Sequence, residues 1–427
     1  FLSWYLALLT EISNQDKGMM NLVNVIGLGY IGLPTALMLA SSHVEVTGTD
    51  YNQELVNQLN AGQLTFEEAG MEELFQQAFS EGIRFTNDYQ NAEMYIIAVP
   101  TPYDKASKKI DASYVEKAIE SVLKVCPAGA IICIESTISP GTIDKFVRPV
   151  INRAGLTIGR DVHLAHAPER IIPGNMVYEL RHNSRVIGCD DEKIGEKIRQ
   201  VYSSFCQGNI VITNIRTAEM TKVVENTFRD INIAFANELA KICRSDNMDV
   251  YEIIRIANMH PRVNILQPGP GVGGHCISVD PWFLVGDYPG LANIILAARK
   301  INDSMPEYVL ERASEIMHEN GITDTGRVGL YGLTYKENVD DVRESPSLQL
   351  LEAMKKHLCN GLKVYDPNVK KDLVENQYHD LKSFLNDIDF VILMVGHDEI
   401  KENMRLLEKK IILDTKNICS LNHAYKL

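Results

Sequence analysis

The residues best suited to chemistry lie in one glycine-rich stretch, Pro268 to Pro281. It reads Pro-Gly-Pro-Gly-Val-Gly-Gly-His-Cys-Ile-Ser-Val-Asp-Pro. Its prolines and glycines exclude a helix or regular strand in the first half and permit very close backbone approach to a ligand. Cys276 follows the glycine pair and Asp280 lies four residues on, so a thiol nucleophile stands near a group that can handle a proton or a water. An inert thiol is the competing interpretation, since many cysteines serve only as small hydrophobic residues.

The composition narrows the class of protein around this stretch. A chain of 427 residues is long enough for two or three domains, and 45% hydrophobic with 23% charged residues is typical of a soluble globular protein. A net charge of −14 disfavours general nucleic-acid binding and adhesion to anionic membranes. The eight cysteines include no CxxC pair, which favours reduced thiols in the cytoplasm over a disulfide framework or a metal site.

The first residues of the chain differ from the rest. Residues 1–10 are apolar but too few to span a bilayer, and no basic residue precedes them as in a signal peptide. We interpret residues 1–19 as an upstream extension and expect no membrane insertion. A short anchoring helix is the alternative, although the basic face of such a helix is missing.

A glycine fingerprint follows the extension. A short apolar strand runs into Gly27-x-Gly29-x-x-Gly32, then come a helical pattern and a second strand that ends at Asp50. Such glycines permit a tight turn, close approach of a pyrophosphate and close helix packing, and the acid binds a ribose diol while repelling a 2′-phosphate. The pattern predicts NAD, with contacts from Gly27, Gly29, Tyr30, Ile31, Gly32 and Asp50.

Two further predicted strands, residues 93–99 and 130–134, end in polar loops. Pro100 and Thr101 follow the first strand, and Thr137 lies just beyond the second. Ligands bind at the carboxyl edge of an open parallel sheet, so these residues are candidates to face the nicotinamide or the substrate. Each hydroxyl could equally cap the next helix.

A third predicted strand, residues 162–165, leads to Glu169 and Arg170. The carboxylate and the guanidinium could hold a water and an anionic ligand, respectively. A surface ion pair is the simpler alternative.

A long helix is predicted from residue 217 to about residue 245. Lys222, Asn226 and Arg229 recur at spacings of four and three, which places them on one stripe of a largely apolar helix. The stripe is either a solvated face or a set of side chains with buried partners. Ser304 and Glu307 further on have the spacing of a capping box.

The α/β alternation resumes after Gly321 with four short strands, at 327–331, 362–365, 389–395 and 410–413. This second unit lacks a glycine fingerprint, so no second dinucleotide is expected. Lys336 and Arg343 lie in the loop after its first strand. The predicted fold is α/β, with two Rossmann-like doubly wound domains joined by a long central helix. We assign residues 1–19 to the extension, 20–213 to the NAD-binding domain, 214–320 to the central domain with the cysteine loop, and 321–427 to the second Rossmann-like domain.

Taken together, the order of motifs resembles the UDP-sugar 6-dehydrogenases of the UDP-glucose/GDP-mannose dehydrogenase family. The motifs are the first glycines, Val-Pro-Thr-Pro at 99–102, Glu-Ser-Thr at 135–137, Pro-Glu-Arg at 168–170, Lys222 with Asn226, the cysteine loop, and Arg-Glu-Ser-Pro at 343–346. His275-Cys276-Ile277 and Pro-Arg-Val-Asn at 261–264 are similar to the branch that acts on N-acetylhexosamines. Ser278 stands where many relatives have proline.

The resemblance implies a four-electron oxidation of a primary alcohol to a carboxylate by two NAD and one water, through a cysteine thiohemiacetal and thioester. UDP-N-acetyl-D-mannosamine is the expected substrate; its gluco and galacto epimers and UDP-glucose are alternatives. The implied catalytic residues are Cys276, Lys222, Asn226, Asp280, Glu169 and Thr137. The implied substrate contacts are Glu169, Arg170, Lys222, Asn226, Arg229, Arg262, Gly273, His275, Lys336 and Arg343.

The resemblance also implies a homodimer through the central helix. Two other functions remain open from the sequence. A catalytically silent nucleotide-sugar sensor would not need Cys276, Lys222 and Asp280 together. A two-electron hydroxyacid dehydrogenase would not need the cysteine loop, residues 268–281.

Overall fold

The computed structural model describes residues 22–66, 68–172, 174–274, 276–356 and 361–427. The chain divides into two compact units, one ending at Val223 and the other beginning at Val224. Each unit contains one largely or wholly parallel sheet. The extension predicted at residues 1–19 lies outside the described residues.

The first unit is built on an eight-stranded sheet with the order β3-β2-β1-β4-β5-β6-β7-β8. The order reverses between β1 and β4, and the carboxyl edge at such a switch point is where dinucleotides bind. Its pairs are parallel except β6 with β7. The strands are β1 (Leu22–Ile26), β2 (Glu45–Thr49), β3 (Arg84–Thr86), β4 (Met94–Ile97), β5 (Ala130–Ile134), β6 (Val162–His166), β7 (Arg185–Cys189) and β8 (Ile210–Thr213).

Helices cover both faces of this sheet, and each face has its own apolar core. The central strands β4 and β5 are buried along their whole length, which explains their continuous apolar sequences. The helices are α1 (Gly32–Ser41), α2 (Gln53–Asn60), α3 (Met71–Ser80), α4 (Ser113–Val122), α5 (Arg148–Arg153, preceded by a π-turn at Ile143–Val147), α6 (Met176–His182) and α7 (Glu192–Ser203).

The long helix α8 (Ile215–Ser245) begins in the first unit and continues into the second. Its first turns are held in the first unit by Glu219, whose buried carboxylate accepts hydrogen bonds from the backbone N–H groups of Gly141 (2.5 Å) and Ile143 (3.0 Å).

In the part of the chain that the structure describes, every helix is too short or too polar to span a lipid bilayer.

The second unit contains a six-stranded parallel sheet with the order β11-β10-β9-β12-β13-β14. Its strands are β9 (Val328–Tyr331), β10 (Lys363–Tyr365), β11 (Gln377–Tyr378), β12 (Phe390–Leu393), β13 (Ile411–Asp414) and β14 (Tyr425–Lys426). Its helices after α8 are α9 (Val250–Ala257), α10 (Asp280–Asp287), α11 (Asn293–Asp303), α12 (Met305–Glu319), α13 (Pro346–Lys356), α14 (Leu381–Asn386) and α15 (Asp398–Glu402), with short 3-10 turns at Thr325–Arg327 and Met404–Leu407.

The capping box predicted at Ser304 and Glu307 is wrong. Ser304 has helical backbone angles, and its hydroxyl donates to the Ile301 carbonyl (2.8 Å) and accepts from Lys241 (3.1 Å). The residue therefore joins α11 to α12 with a minimal break, and Lys241 takes the hydroxyl that a cap would have used.

The two sheets share one local feature at the end of their first strands. Gly27 has φ +91° and its N–H donates to Thr49, while Gly332 has φ +95° and its N–H donates to Tyr365, each at 2.8 Å. In both cases the acid that ends the next strand accepts the N–H of the residue after the glycine: Leu28 to Asp50 at 2.8 Å, and Leu333 to Asp366 at 2.6 Å. The repeat is local, because only the first turn continues into the glycine fingerprint.

Candidate functional site

The glycine fingerprint forms a turn with room for a ligand on one side only. A Cβ on Gly32 would lie 1.9 Å from the Gly27 carbonyl oxygen, so α1 packs against the turn with no space for a side chain. A Cβ on Gly29 would have no protein atom within 4 Å. The open side lies just before the N-terminus of α1, whose dipole favours a phosphate. These residues fit NAD.

Asp50 is fixed beside this turn. Its carboxylate accepts hydrogen bonds from the N–H groups of Leu28 (2.8 Å) and Asn52 (2.9 Å), and the side chain is only half-buried. The orientation is suited to accept a ribose diol as well. Tyr30 and Ile31 are half-buried in the turn, and the Tyr30 ring packs 4.4 Å from that of Phe66.

The loops after β4 and β5 are tied together by Thr101. Its buried hydroxyl donates to the Thr137 carbonyl at 2.6 Å, so it does not cap a helix. Ser136 makes a second tie by donating to the Val99 carbonyl at 2.6 Å. Pro100 is exposed and Thr137 is half-buried at this carboxyl edge of the sheet. Thr101 thus contributes to the site by fixing the position of Thr137.

Glu169 belongs to a buried charge cluster. Its carboxylate pairs with the guanidinium of Arg185 and accepts the N–H of Arg170 at 2.6 Å. The Arg185 side chain is itself buried and lies 3.5 Å from Glu135, which also accepts from the Tyr202 hydroxyl at 3.1 Å. Glu169 is therefore not a surface residue, and Arg185 is a partner that the sequence pattern did not reveal.

The cluster contains more acid than base, with consequences for Glu135. Burial raises the pKa of Glu135 to about 7; Arg185 opposes the shift and the Glu169 carboxylate adds to it. A proton is therefore held near neutral pH within the cluster that positions Glu169. Arg170 directs its guanidinium to the Ser184 carbonyl.

In the second unit, the cysteine loop ends in a helical turn. The Cys276 carbonyl accepts from the N–H groups of Val279 (3.1 Å) and Asp280 (2.9 Å), and Asp280 begins α10. The Ser278 hydroxyl donates to the Gly274 carbonyl and closes the turn from the other side. Cys276 is half-buried and not in a disulfide. His275 lies outside the described residues.

A buried hydrogen bond links this turn to the long helix. The Asn226 side-chain amide donates to the Asp280 carboxylate at 2.6 Å, and the side chains of both residues are nearly inaccessible to solvent. Lys222 lies one turn earlier on α8 and is also buried, whereas Arg229 is exposed. The predicted polar stripe is thus divided into a buried part and a solvated end.

Two further asparagines of α8 bind the backbone where the chain enters the cysteine loop. Asn232 donates to the Asn264 carbonyl (2.8 Å) and accepts from the Leu266 N–H (2.9 Å). Asn237 accepts from the Gly269 N–H at 2.8 Å. No periodic pattern in the sequence indicates this role, because the bonds join side chains to backbone groups of a distant irregular segment.

Gly273 and Gly274 cannot be replaced by larger residues, because the loop that follows β9 packs against them. A Cβ on Gly273 would lie 2.6 Å from the Cβ of Tyr335 and 2.7 Å from the Glu344 carbonyl oxygen. The Gly274 N–H donates to the Arg343 carbonyl at 2.9 Å. The cysteine loop and the loop after β9 are therefore in direct contact.

The basic residues expected to hold the substrate differ in their surroundings. Arg343 is partly exposed and pairs with Asp341 through Nε (2.9 Å) and Nη2 (2.6 Å). Lys336 is half-buried in the same loop, and Arg262 is exposed. Among the described residues, no group of three or more His, Cys, Asp and Glu side chains could hold a metal ion.

Paired glycine substitutions test the assignment of the dinucleotide turn. Gly32→Ala should lower the free energy of unfolding by about 2 kcal/mol, because its methyl group meets the Gly27 carbonyl. Gly29→Ala should leave stability within about 0.5 kcal/mol of wild type but weaken NAD binding roughly tenfold, as its methyl group fills the open space. Denaturant unfolding and NAD titration distinguish the two effects; unchanged NAD affinity in Gly29→Ala would contradict the assignment.

The pH dependence of stability tests the proton on Glu135. The folded-state pKa is raised, so the folded protein binds the proton more tightly; this stability is present at low pH and is lost as the pH rises from about 4.5 through about 7. Glu135→Gln removes this pH-dependent contribution to the free energy of unfolding, because the amide does not titrate. The melting temperature of the variant relative to wild type should therefore increase between pH 5 and pH 8. Glu45→Gln, at an exposed carboxyl on β2, is the control, and a variant curve parallel to wild type would contradict the assignment.

Three family models together match most of the chain. They are the NAD binding domain (residues 21–206), central domain (216–304) and UDP binding domain (329–421) of the UDP-glucose/GDP-mannose dehydrogenase family. The chain is 42% identical to a UDP-N-acetyl-D-mannosamine dehydrogenase of Methanococcus vannielii, over 96% of each chain. It is 39% identical to an NDP-N-acetyl-D-galactosaminuronic acid dehydrogenase of Ralstonia nicotianae, over 93% of this chain and 96% of the relative.

A solved structure is also similar to this chain over nearly its whole length. The UDP-N-acetyl-mannosamine dehydrogenase of Staphylococcus aureus superimposes with a TM-score of 0.84 at 41% identity, over 95% of this chain and 97% of the other. The chain thus belongs to the UDP-glucose/GDP-mannose dehydrogenase family and is an NAD-dependent UDP-sugar dehydrogenase.

Proposed function

We propose that this enzyme oxidises C6 of UDP-N-acetyl-D-mannosamine to the uronate through a covalent adduct on Cys276. The observation that carries the proposal is the buried hydrogen bond between Asn226 and Asp280, which fixes an amide and a carboxylate at the turn that begins with Cys276. Several relatives at about 40% identity are named for this activity, which supports the choice of sugar.

The overall reaction consumes one alcohol, two NAD and one water, and yields one carboxylate, two NADH and three protons. NAD, when bound at the glycine turn, supplies the hydride acceptor for both oxidations. Between them the Cys276 thiolate adds to the C6 aldehyde to give a thiohemiacetal, whose oxidation leaves a thioester. Water then attacks the thioester, the C–S bond breaks and the thiolate is regenerated. The thiol thereby makes the second oxidation possible without a free aldehyde hydrate.

Lys222 and Asn226 are assigned to the oxygen anion that develops at C6, because fixed donors stabilise such charge most effectively in a buried site. Asp280 is assigned to the attacking water, since its carboxylate is oriented by Asn226. Glu169 and Thr137 complete the proposed catalytic set. Both are held by neighbours: Glu169 by Arg185, and the Thr137 backbone by Thr101.

For the nucleotide sugar, we assign the diphosphate or uridine to Lys336 and Arg343, and a further substrate contact to Gly273. This agrees with the UDP binding domain matched at residues 329–421 and with the contact between the two loops. Arg170, Arg229, Arg262 and His275 remain proposed contacts. The galacto epimer is the second candidate substrate, favoured by the similarity to the Ralstonia enzyme. We place the product in surface polysaccharide synthesis and the enzyme in the cytoplasm, where its thiol stays reduced.

Product stoichiometry tests the mechanism. Wild-type protein with UDP-N-acetyl-D-mannosamine should give two NADH per sugar, and the gluco and galacto epimers and UDP-glucose should react at least tenfold more slowly. Cys276→Ser should reduce uronate formation by more than 10³-fold while UDP and NAD still bind, because the serine hydroxyl is a much weaker nucleophile. Cys243→Ser, at a buried thiol on α8, is the control. Full activity of Cys276→Ser would exclude the covalent route, and the absence of NADH with every sugar would favour the silent sensor.

We also propose a homodimer through α8. Four large apolar side chains on this helix are markedly exposed, at 47–65% of their surface: Val224, Phe228, Phe235 and Ile242. Their spacings of four, seven and seven residues place them on one face of the helix, and exposed apolar side chains on one face are typical of a protein interface.

Charge substitution tests the interface. Phe228→Glu with Phe235→Glu should convert a dimer of about twice 47.9 kDa into a monomer in sedimentation equilibrium, because two charges per chain would be buried unpaired. Leu373→Glu, at a similarly exposed apolar residue away from α8 in sequence, should leave the mass unchanged. A double variant that remains dimeric would place the interface elsewhere.

A further inference from the structure

His397 is buried in the segment between β12 and α15, immediately before α15 begins, outside every set of residues assigned above. Its Nδ1 atom lies 3.0 Å from the backbone nitrogen of Asn338. A backbone N–H can only donate, so Nδ1 carries no proton and the ring is neutral, with its proton on Nε2. The Asn368 amide, also 3.0 Å from Nδ1, provides a second donor. Nε2 lies 3.2 Å from the Asp366 carboxylate, which accepts that proton.

The partner of this ring, Asn338, has a left-handed backbone conformation. Its φ is +58°, in a region that asparagine adopts more readily than most residues other than glycine. Its side chain donates to the Asp398 carboxylate at 2.8 Å and accepts the Asp398 N–H at 3.1 Å. The preceding residue, Glu337, pairs with Lys401 at 2.8 Å. The segment from His397 to Lys401 therefore holds the bend of the loop that follows β9.

The Asp366 carboxylate binds the imidazole ring of His397 and not a ligand. It occupies the position that Asp50 has in the first sheet, but it is 2% exposed. Its Oδ2 accepts from the N–H groups of Leu333 (2.6 Å) and Thr334 (3.0 Å), and its Oδ1 from that of Asn368 (2.8 Å). Burial by itself raises the pKa of Asp366, and the hydrogen bonds that the carboxylate accepts from His397 and from the N–H groups of Thr334 and Asn368 oppose that rise. The same strand-end acid thus binds a histidine here.

We propose that His397 is a positioning residue for nucleotide binding, which holds the loop Leu333–Arg343 in its bent form through the hydrogen bond from Asn338. The proposal rests on the function proposed above, in which Lys336 and Arg343 of this loop hold the UDP moiety. The loop also reaches the cysteine loop through the hydrogen bond between Gly274 and the Arg343 carbonyl. Loss of the acceptor at His397 should therefore weaken UDP binding more than it changes catalysis.

Two variants separate the acceptor from the bulk of the ring. His397→Phe keeps an aromatic ring but removes both nitrogens, and His397→Asn keeps a polar acceptor close to the position of Nδ1. Hydrogen exchange in ligand-free protein should be at least tenfold faster at the Asn338 amide in His397→Phe and within threefold of wild type in His397→Asn. The dissociation constant for UDP and the KM for the UDP-sugar should rise about tenfold in His397→Phe only, with kcat changed less than twofold and NAD affinity unchanged.

The proposal would be overturned if the Asn338 amide exchange rate and the UDP affinity of His397→Phe equalled those of wild type. It would also be overturned if His397→Phe and His397→Asn changed both quantities equally. If His397→Phe does not fold, ¹⁵N NMR of histidine-labelled wild type decides, with the signal assigned by its loss in His397→Asn. A neutral ring protonated on Nε2 is expected, and a charged ring or a proton on Nδ1 would overturn the proposal. Wild-type protein that binds no UDP would contradict the proposed function, while exchange and NMR would still test the positioning role.

Discussion

A segment with four glycines and two prolines in seven residues cannot hold its own conformation, so the position of Cys276 depends on contacts from outside the loop. Three asparagines of α8 supply them. Asn232 binds backbone groups just before the loop, Asn237 binds the Gly269 N–H at its start, and Asn226 binds Asp280 at its end. Amide side chains suit this purpose because one group both donates and accepts without a charge. The long helix is thus the support on which the Cys276 thiol is positioned.

The helix is itself fixed by buried polar contacts. The buried Asp230 pairs with Arg299 at 2.6 Å and accepts from Asn302 at 2.8 Å, which joins α8 to α11 in the second unit. Burial raises the pKa of Asp230, although Arg299 opposes the shift. Removing one partner of such a pair typically costs about 3–5 kcal/mol, because the remaining charge stays buried. These contacts therefore enforce one arrangement of the helices.

The same backbone turn has different electrostatics in the two sheets. Asp50 and Asp366 both accept the N–H that follows a left-handed glycine. Asp50 stays half-buried and open to a ligand, whereas Asp366 is buried against His397. A local motif therefore fixes the backbone geometry, and the surrounding side chains decide whether its carboxylate stays accessible to solvent or binds another part of the chain.

Features that depend on residues close together in the chain could be predicted from the amino-acid sequence alone. The spacing of Gly27, Gly29 and Gly32 determined the dinucleotide turn, and the apolar runs at β4 and β5 determined the central strands, because steric freedom and burial are local properties. The long helix and the segment around Cys276 were also evident. The sequence pattern did not predict five short strands, β3, β7, β8, β11 and β14, because strands of two to five residues carry little periodic signal.

Pairings between residues distant in the chain could not be predicted and are seen only in the folded protein. Arg185 is 16 residues from Glu169, and His397 is 59 residues from Asn338. No spacing rule predicts such contacts, because they follow from which strands become neighbours in the sheet. The failed capping box at Ser304 has the same cause, since Lys241 of α8 engages the hydroxyl on which the local pattern relied. Residue types thus indicated what chemistry was available, and the fold decided which groups are held together to perform it.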